Sequence, residues 1–168
     1  MRTSKPEHVS GEQNGRVALL DVSVLVALVH AGHVHHDVAH DWFADNSDSG
    51  WASCPITENG LLRIISNPAR VEEYVPLPQL VALLDRFCAQ SEHQFWPDGP
   101  SLRDADRFDP AALRGHQQLT DVYLLGLAVA HGGRFVTLDQ NVPLAAVKGA
   151  TRASLEVLSP GGEPGREN

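Results

Sequence analysis

The stretch that most constrains this chain is Val17-Ala18-Leu19-Leu20-Asp21-Val22-Ser23-Val24-Leu25-Val26-Ala27, an almost unbroken aliphatic run with one carboxylate in its middle. Asp is among the residues least tolerated in a core unless it is paired, hydrogen-bonded or bound to a cation. Asp21 therefore belongs where a buried strand ends and solvent begins. Residues 17–20 read as the strand, Asp21 as its C-terminal tip, and Ser23 as the cap of a helix over 24–29. In an open parallel sheet, ligands bind outside the carboxyl ends of the strands, so Asp21 would face a crevice. For a lone Asp, a helix cap or turn is the plainer explanation, and the question is whether Asp21 is alone.

Strand and helix patterns alternate along the rest of the chain. Helices are expected over 37–44, where Val38, Ala39, Trp42 and Phe43 share a face, over 56–65 with Pro55 at the first turn, over 80–90, and over 120–130, stopped by Gly132-Gly133. Strands are expected over 51–54, 93–96, 134–138 and 153–158, and residues 99–118 as a short helix and a loop. Such alternation means βαβ units and a parallel sheet covered on both faces. Residues 17–158 form the folded unit; 1–16 are a polar extension and 159–168 a breaker-rich tail, both expected to be disordered. No stretch is long and apolar enough for a membrane span, and no secretory leader is evident. Two cysteines with no CxxC spacing make neither a disulfide framework nor a zinc site, so a reduced, cytoplasmic protein is expected.

Asp139 repeats the arrangement of Asp21, an apolar strand followed at once by an acid. Asp121 stands in the first turn of the strongest helix, and Glu58 near the start of the helix after the second strand. Each acid alone could simply offset a helix dipole. Together they would crowd one sheet edge, where like charges call for protonation or a cation. An oxygen-only donor set favours Mg2+ or Mn2+, which suits phosphoryl chemistry. The formal charge of −8 excludes coating of nucleic acid by bulk electrostatics but not an enzyme that meets it through a divalent ion.

Five blocks then carry a resemblance: Leu20-Asp21-Val22-Ser23-Val24-Leu25, Ile56-Thr57-Glu58-Asn59-Gly60-Leu61-Leu62-Arg63, Leu119-Thr120-Asp121-Val122-Tyr123-Leu124-Leu125-Gly126-Leu127-Ala128, His131-Gly132-Gly133 and Val136-Thr137-Leu138-Asp139. In this order they are similar to the PIN-domain ribonucleases, above all the VapC toxins of type II toxin–antitoxin systems, over nearly the whole folded unit. The resemblance implies an α/β/α sandwich around a parallel sheet of four or five strands. It implies that Asp21, Glu58, Asp121 and Asp139 hold one or two Mg2+ or Mn2+ ions, and that water attacks an RNA phosphodiester to leave 5′-phosphate and 3′-hydroxyl ends. It further implies inhibition of translation, a cognate VapB antitoxin with a basic segment, and a homodimer. Ser23 and Thr120 would orient the carboxylates or hold waters, and Arg63 and Arg114 are the candidates for phosphate contacts.

Other features point elsewhere. His30, His33, His35, His36 and His40 invite a zinc reading, but HxxxH without a third ligand or a zincin Glu favours structural roles. Trp42, Phe43, Trp51 and Trp96 could stack bases, yet packing explains them better. A catalytically silent PIN-like RNA-binding or regulatory module is the competing function. A phosphatase using Asp21 as nucleophile would need a second Asp where Ser23 stands.

Overall fold

The computed structural model describes residues 15–159. Five parallel strands form one sheet: β1 (Ala18–Leu20), β2 (Trp51–Ser53), β3 (His93–Phe95), β4 (Arg134–Thr137) and β5 (Leu155–Val157), in the order β3-β2-β1-β4-β5. Five helices accompany them: α1 (Val22–Val29), α2 (His36–Asn46), α3 (Pro55–Ile65), α4 (Leu77–Ala89) and α5 (Leu119–Ala130). The chain builds outward from β1 to β3, then returns to β1's other side with β4. The order thus reverses between β1 and β4, and a crevice opens there at the carboxyl ends of the strands. Asp21 leaves β1 and Asp139 follows β4 at that crevice.

Alternation along each strand divides the core in two. Ala18 and Leu20 pack with Val24, Leu25, Trp42, Leu61 and Leu80, whereas Leu19 joins Ala52, Phe135, Val122 and Leu125 on the α5 side. Because both faces are covered, β1 reads as a continuous apolar run with no polar alternate.

The helix boundaries correct the sequence reading in one place that matters. Helix α1 begins at Val22 with Asp21 as its N-cap residue, not at 24 with Ser23 as the cap, and the Asp21 side chain makes no capping bond. Smaller shifts have local causes. Helix α4 starts three residues before 80, with Pro78 in its first turn, where the missing N–H costs nothing. The expected helix within 99–118 is two single 3-10 turns, Pro110–Ala112 and His116–Gln118. A third such turn, Arg152–Ser154, takes the first residues of the last expected strand. The ends expected to be disordered lie almost wholly outside the described residues.

Gly132 and Gly133 do stop α5, in a Schellman arrangement: the Gly133 N–H donates to the Ala128 carbonyl and the Gly132 N–H to that of Val129. Gly132 has φ +66°, and a Cβ on Gly133 would stand 2.6 Å from the Val17 carbonyl oxygen and 2.5 Å from Trp96. Backbone cannot yield as a side-chain tip can. Gly133→Ala should therefore cost about 1–3 kcal/mol, the scale of an overpacked core, and Gly132→Ala about 1 kcal/mol for the left-handed φ. Urea midpoints at unchanged slope would measure both, and an unshifted Gly133→Ala midpoint would contradict the packing described.

Candidate active site

Asp21 is 7% exposed at the exit of β1. A carboxylate so placed needs donors, and two hydroxyls supply them. Ser23 Oγ donates to Asp21 Oδ2 at 2.6 Å and Thr137 Oγ1 to the same oxygen at 2.7 Å. Ser23 Oγ accepts the Leu138 N–H at 3.3 Å, and Thr137 Oγ1 accepts that of Asp139 at 3.1 Å. Asp139 Oδ1 then accepts the Asn141 N–H at 2.7 Å, closing a tight turn. One connected set of hydrogen bonds therefore runs from the tip of β1 to the turn after β4 and fixes two of the expected acids relative to each other.

Asp121 enters from the first turn of α5. Burial, then the charges of Asp21 and Asp139, push its carboxyl up to about 7. Asp121 thus stands close enough to Asp21 and Asp139 for both charges to act on it. Their donor chemistry, oxygen only and with negative charge in excess, fits a hard divalent cation such as Mg2+ or Mn2+. Among the described residues no three His, Cys, Asp or Glu side chains are drawn tightly enough to enclose an ion as they stand.

Glu58 does not join them. Its Oε1 accepts from Ser53 Oγ at 2.6 Å, and Ser53 Oγ lies 2.8 Å from His93 Nε2. Its charge acts on His93 and Cys88, and it is absent from the charges that raise Asp121. The reason is the phase of α3. Ser53 shares a strand face with Trp51, on the α4 side of the sheet, and Glu58 turns toward it. Asn59 and Arg63, four residues apart on one face of α3, instead line a depression of about 430 Å3 with Val22 and Thr120. First-turn placement, visible in sequence, could not say which way the acid would point.

Thr120 is exposed and makes no hydrogen bond to any of the acids; the orienting hydroxyl is that of Thr137, which is fully buried. A signal for it was present, since Thr137 precedes Asp139 by two residues as Ser23 follows Asp21 by two. Arg63 reaches the depression beside the acids. Arg114 lies exposed in the loop before α5, where its backbone N–H donates to Gln118 Oε1 and its guanidinium makes no ion pair with the described residues. Two histidines take structural roles, as expected: His36 Nδ1 lies 2.7 Å from the Ala27 carbonyl oxygen and His40 Nε2 2.9 Å from that of Leu28, at the C-terminal end of α1. The three tryptophans are buried, each with its indole N–H bonded within the chain.

With this geometry in place, the likenesses to known proteins fall into line. Residues 18–149 match the PIN domain family. Over 141 residues the chain is 45% identical to ribonuclease VapC44 of Mycobacterium tuberculosis, spanning 84% of this chain and 99% of that one. Ribonuclease VapC39 of the same organism is 40% identical over the same spans. The crystal structure of VapBC2 from Rickettsia felis, bound to a DNA fragment from their promoter, shares the fold at a TM-score of 0.54 and 13% identity, over 85% of this chain and 99% of that one. A matched domain over most of its length, and relatives aligned nearly end to end, place the chain in the PIN-domain family and, within it, among the VapC ribonucleases.

Proposed function

We propose that this protein is a Mg2+- or Mn2+-dependent endoribonuclease, the toxin of a VapBC-type module, and that Asp21, Asp121 and Asp139 hold the ion. The observation that carries this reading is the set of hydrogen bonds that ties Asp21 to the backbone of Asp139 through Ser23 and Thr137, with Asp121 near enough for both charges to raise its carboxyl to about 7. A site that raises an acid this way holds negative charge it cannot stabilise alone, and a cation resolves the conflict. When bound, the ion lowers the pKa of water and offsets charge on a phosphodiester.

The chain's own residues do the positioning. Ser23 and Thr137 hold Asp21 in one rotamer through two bonds to a single oxygen. Thr137 also fixes the backbone of Asp139, so both acids depend on one hydroxyl. Asp121 would hold the ion as a carboxylate, its proton passing to solvent. Arg63 stands beside the acids, where a guanidinium can meet a phosphate oxygen. Glu58 serves the β2–α3–β3 junction through Ser53 and His93 rather than the ion.

The relatives' names support RNA as substrate, and the VapBC neighbour supports a VapB-type antitoxin as partner; inhibition of translation and a homodimer belong to the same proposal. The net charge of −8 suits a partner with a basic segment. Against a silent PIN-like module speak the hydrogen bonds that hold Asp21 and Asp139 and the nearness of Asp121 to both charges. No described helix is long and apolar enough to cross a membrane.

Two measurements test this reading. Asp21→Asn and Asp121→Asn should each lower RNA cleavage by at least about 100-fold with unchanged circular dichroism, as expected for a lost metal-holding charge. In Mn2+ titration calorimetry, Thr137→Val should weaken binding about 10-fold, as outer-shell losses do, while Glu58→Gln stays within about twofold of the unsubstituted chain. A Glu58→Gln loss equal to that of Asp21→Asn would return Glu58 to the metal site.

The raised carboxyl also sets a pH dependence. Folded Asp121 keeps its proton to about 7, whereas an unfolded Asp loses it near 3.8. Between those values the folded state binds more protons, so stability falls as pH rises through the window. Asp121→Asn should therefore raise Tm at pH 8 in EDTA and lose that advantage toward pH 4. Mn2+ should bind more weakly at pH 6 than at pH 8, because it must displace a proton. A Tm gain at pH 4 equal to that at pH 8 would contradict the assignment.

A further inference from the structure

The acids do not sit in an isolated pit. The depression that holds Asn59, Arg63 and Thr120 shares two wall residues, Val22 and Ile64, with a second one of about 660 Å3. The second is lined by Asp21, Ser23, His33 and Arg70 among others. Val22 follows Asp21 directly and Asp21 lines the second depression, so the shared wall lies next to Asp21. Arg63 stands on one side of it and Arg70 on the other.

Both arginines are exposed, and neither makes an ion pair or a side-chain hydrogen bond with the described residues. Arg107 and Arg134, by contrast, are paired with carboxylates. In a chain with 21 acids and 13 Lys and Arg, two unpaired guanidiniums flanking a carboxylate cluster remain available to external anions. A guanidinium matches a phosphate bidentately.

We propose that the two depressions form one groove that carries single-stranded RNA across Asp21, with Arg63 holding a phosphate on one side of the scissile bond and Arg70 on the other. The proposal rests on the ribonuclease reading above and adds the path of the substrate and the residues that hold its phosphates. A single strand is favoured over a duplex because Asp21 is recessed, and an extended backbone can descend to it where a stacked helix cannot. RNA is favoured over a uniformly basic protein segment, which would meet Arg63 and Arg70 as like charges. His33, in the wall of the same depression as Arg70, offers an imidazole face for an unstacked base.

Fluorescence anisotropy with a short labelled single-stranded RNA tests this, using the full chain carrying Asp121→Asn to prevent cleavage. Arg63→Gln and Arg70→Gln should each weaken binding about 3- to 10-fold near 0.1 M salt and lower the slope of log K against log salt by about 0.7, one phosphate contact apiece. Arg63→Lys should restore the slope, and Arg152→Gln, at the opposite edge of the sheet, should change neither quantity. Unchanged slopes in both glutamine variants would overturn the groove. So would an equal loss with Arg152→Gln, or arginine-dependent binding confined to a basic antitoxin peptide. If RNA binds with the expected slopes but the unsubstituted chain does not cut it, the groove stands and the hydrolase reading fails.

Discussion

The site depends on how a nearly buried carboxylate is satisfied. Asp21 sits at the end of the central strand, where removal from water costs several kcal/mol unless donors replace the solvent. Those donors come from two different elements, Ser23 in α1 and Thr137 in β4. Parallel pairing of Leu20 with Val136 brings the two strand ends level, and the same hydroxyls then hold the backbone of Leu138 and Asp139. Strand register, helix start and site geometry are therefore set by one small group of hydrogen bonds. That is how a scaffold holds a functional group to a fraction of an ångström.

Convergence of charge at this edge has a cost that the opposite end of the sheet helps to offset. Asp121 is held against its own ionisation by burial and by two neighbouring acids. At the start of β4, buried Arg134 bonds Glu156 of β5 at 2.9 Å and Asn46 of α2 at 2.9 Å, while Trp42 donates to Glu156 at 2.8 Å. That network clamps α2 onto β4 and β5 with every charge partnered. The crowded acids and this ion-paired network, in which Arg134 Nε still lacks a hydrogen-bond partner, occupy opposite ends of the same strand.

Glu58 shows where local reasoning runs out. As a first-turn acid after a strand it looks like Asp121, and both could have faced the crevice. Their difference lies in helix phase: α5 turns Asp121 toward Asp21 and Asp139, whereas α3 turns Glu58 toward Ser53 and His93 and presents Asn59 and Arg63 beside the acids. A shift of one residue on a helix rotates a side chain by about 100 degrees, and no local property of the residue records it. The wall thereby becomes neutral to basic, which suits a polyanion approaching an acidic centre.

From the sequence by itself follow the parallel α/β architecture, the place of Asp21 and Asp139 at strand exits, and the glycine stop of α5. Each is encoded by a contiguous pattern: an apolar run with an acid at its end, or a pair of glycines after a periodic helix. Tertiary structure alone decided that Asp121 joins them and Glu58 does not, that Thr137 and not Thr120 is the orienting hydroxyl, and that Arg63 and Arg70 flank one groove. Those are relations between elements distant in the chain, set by register, helix phase and which face each element buries, and no single stretch of sequence contains them.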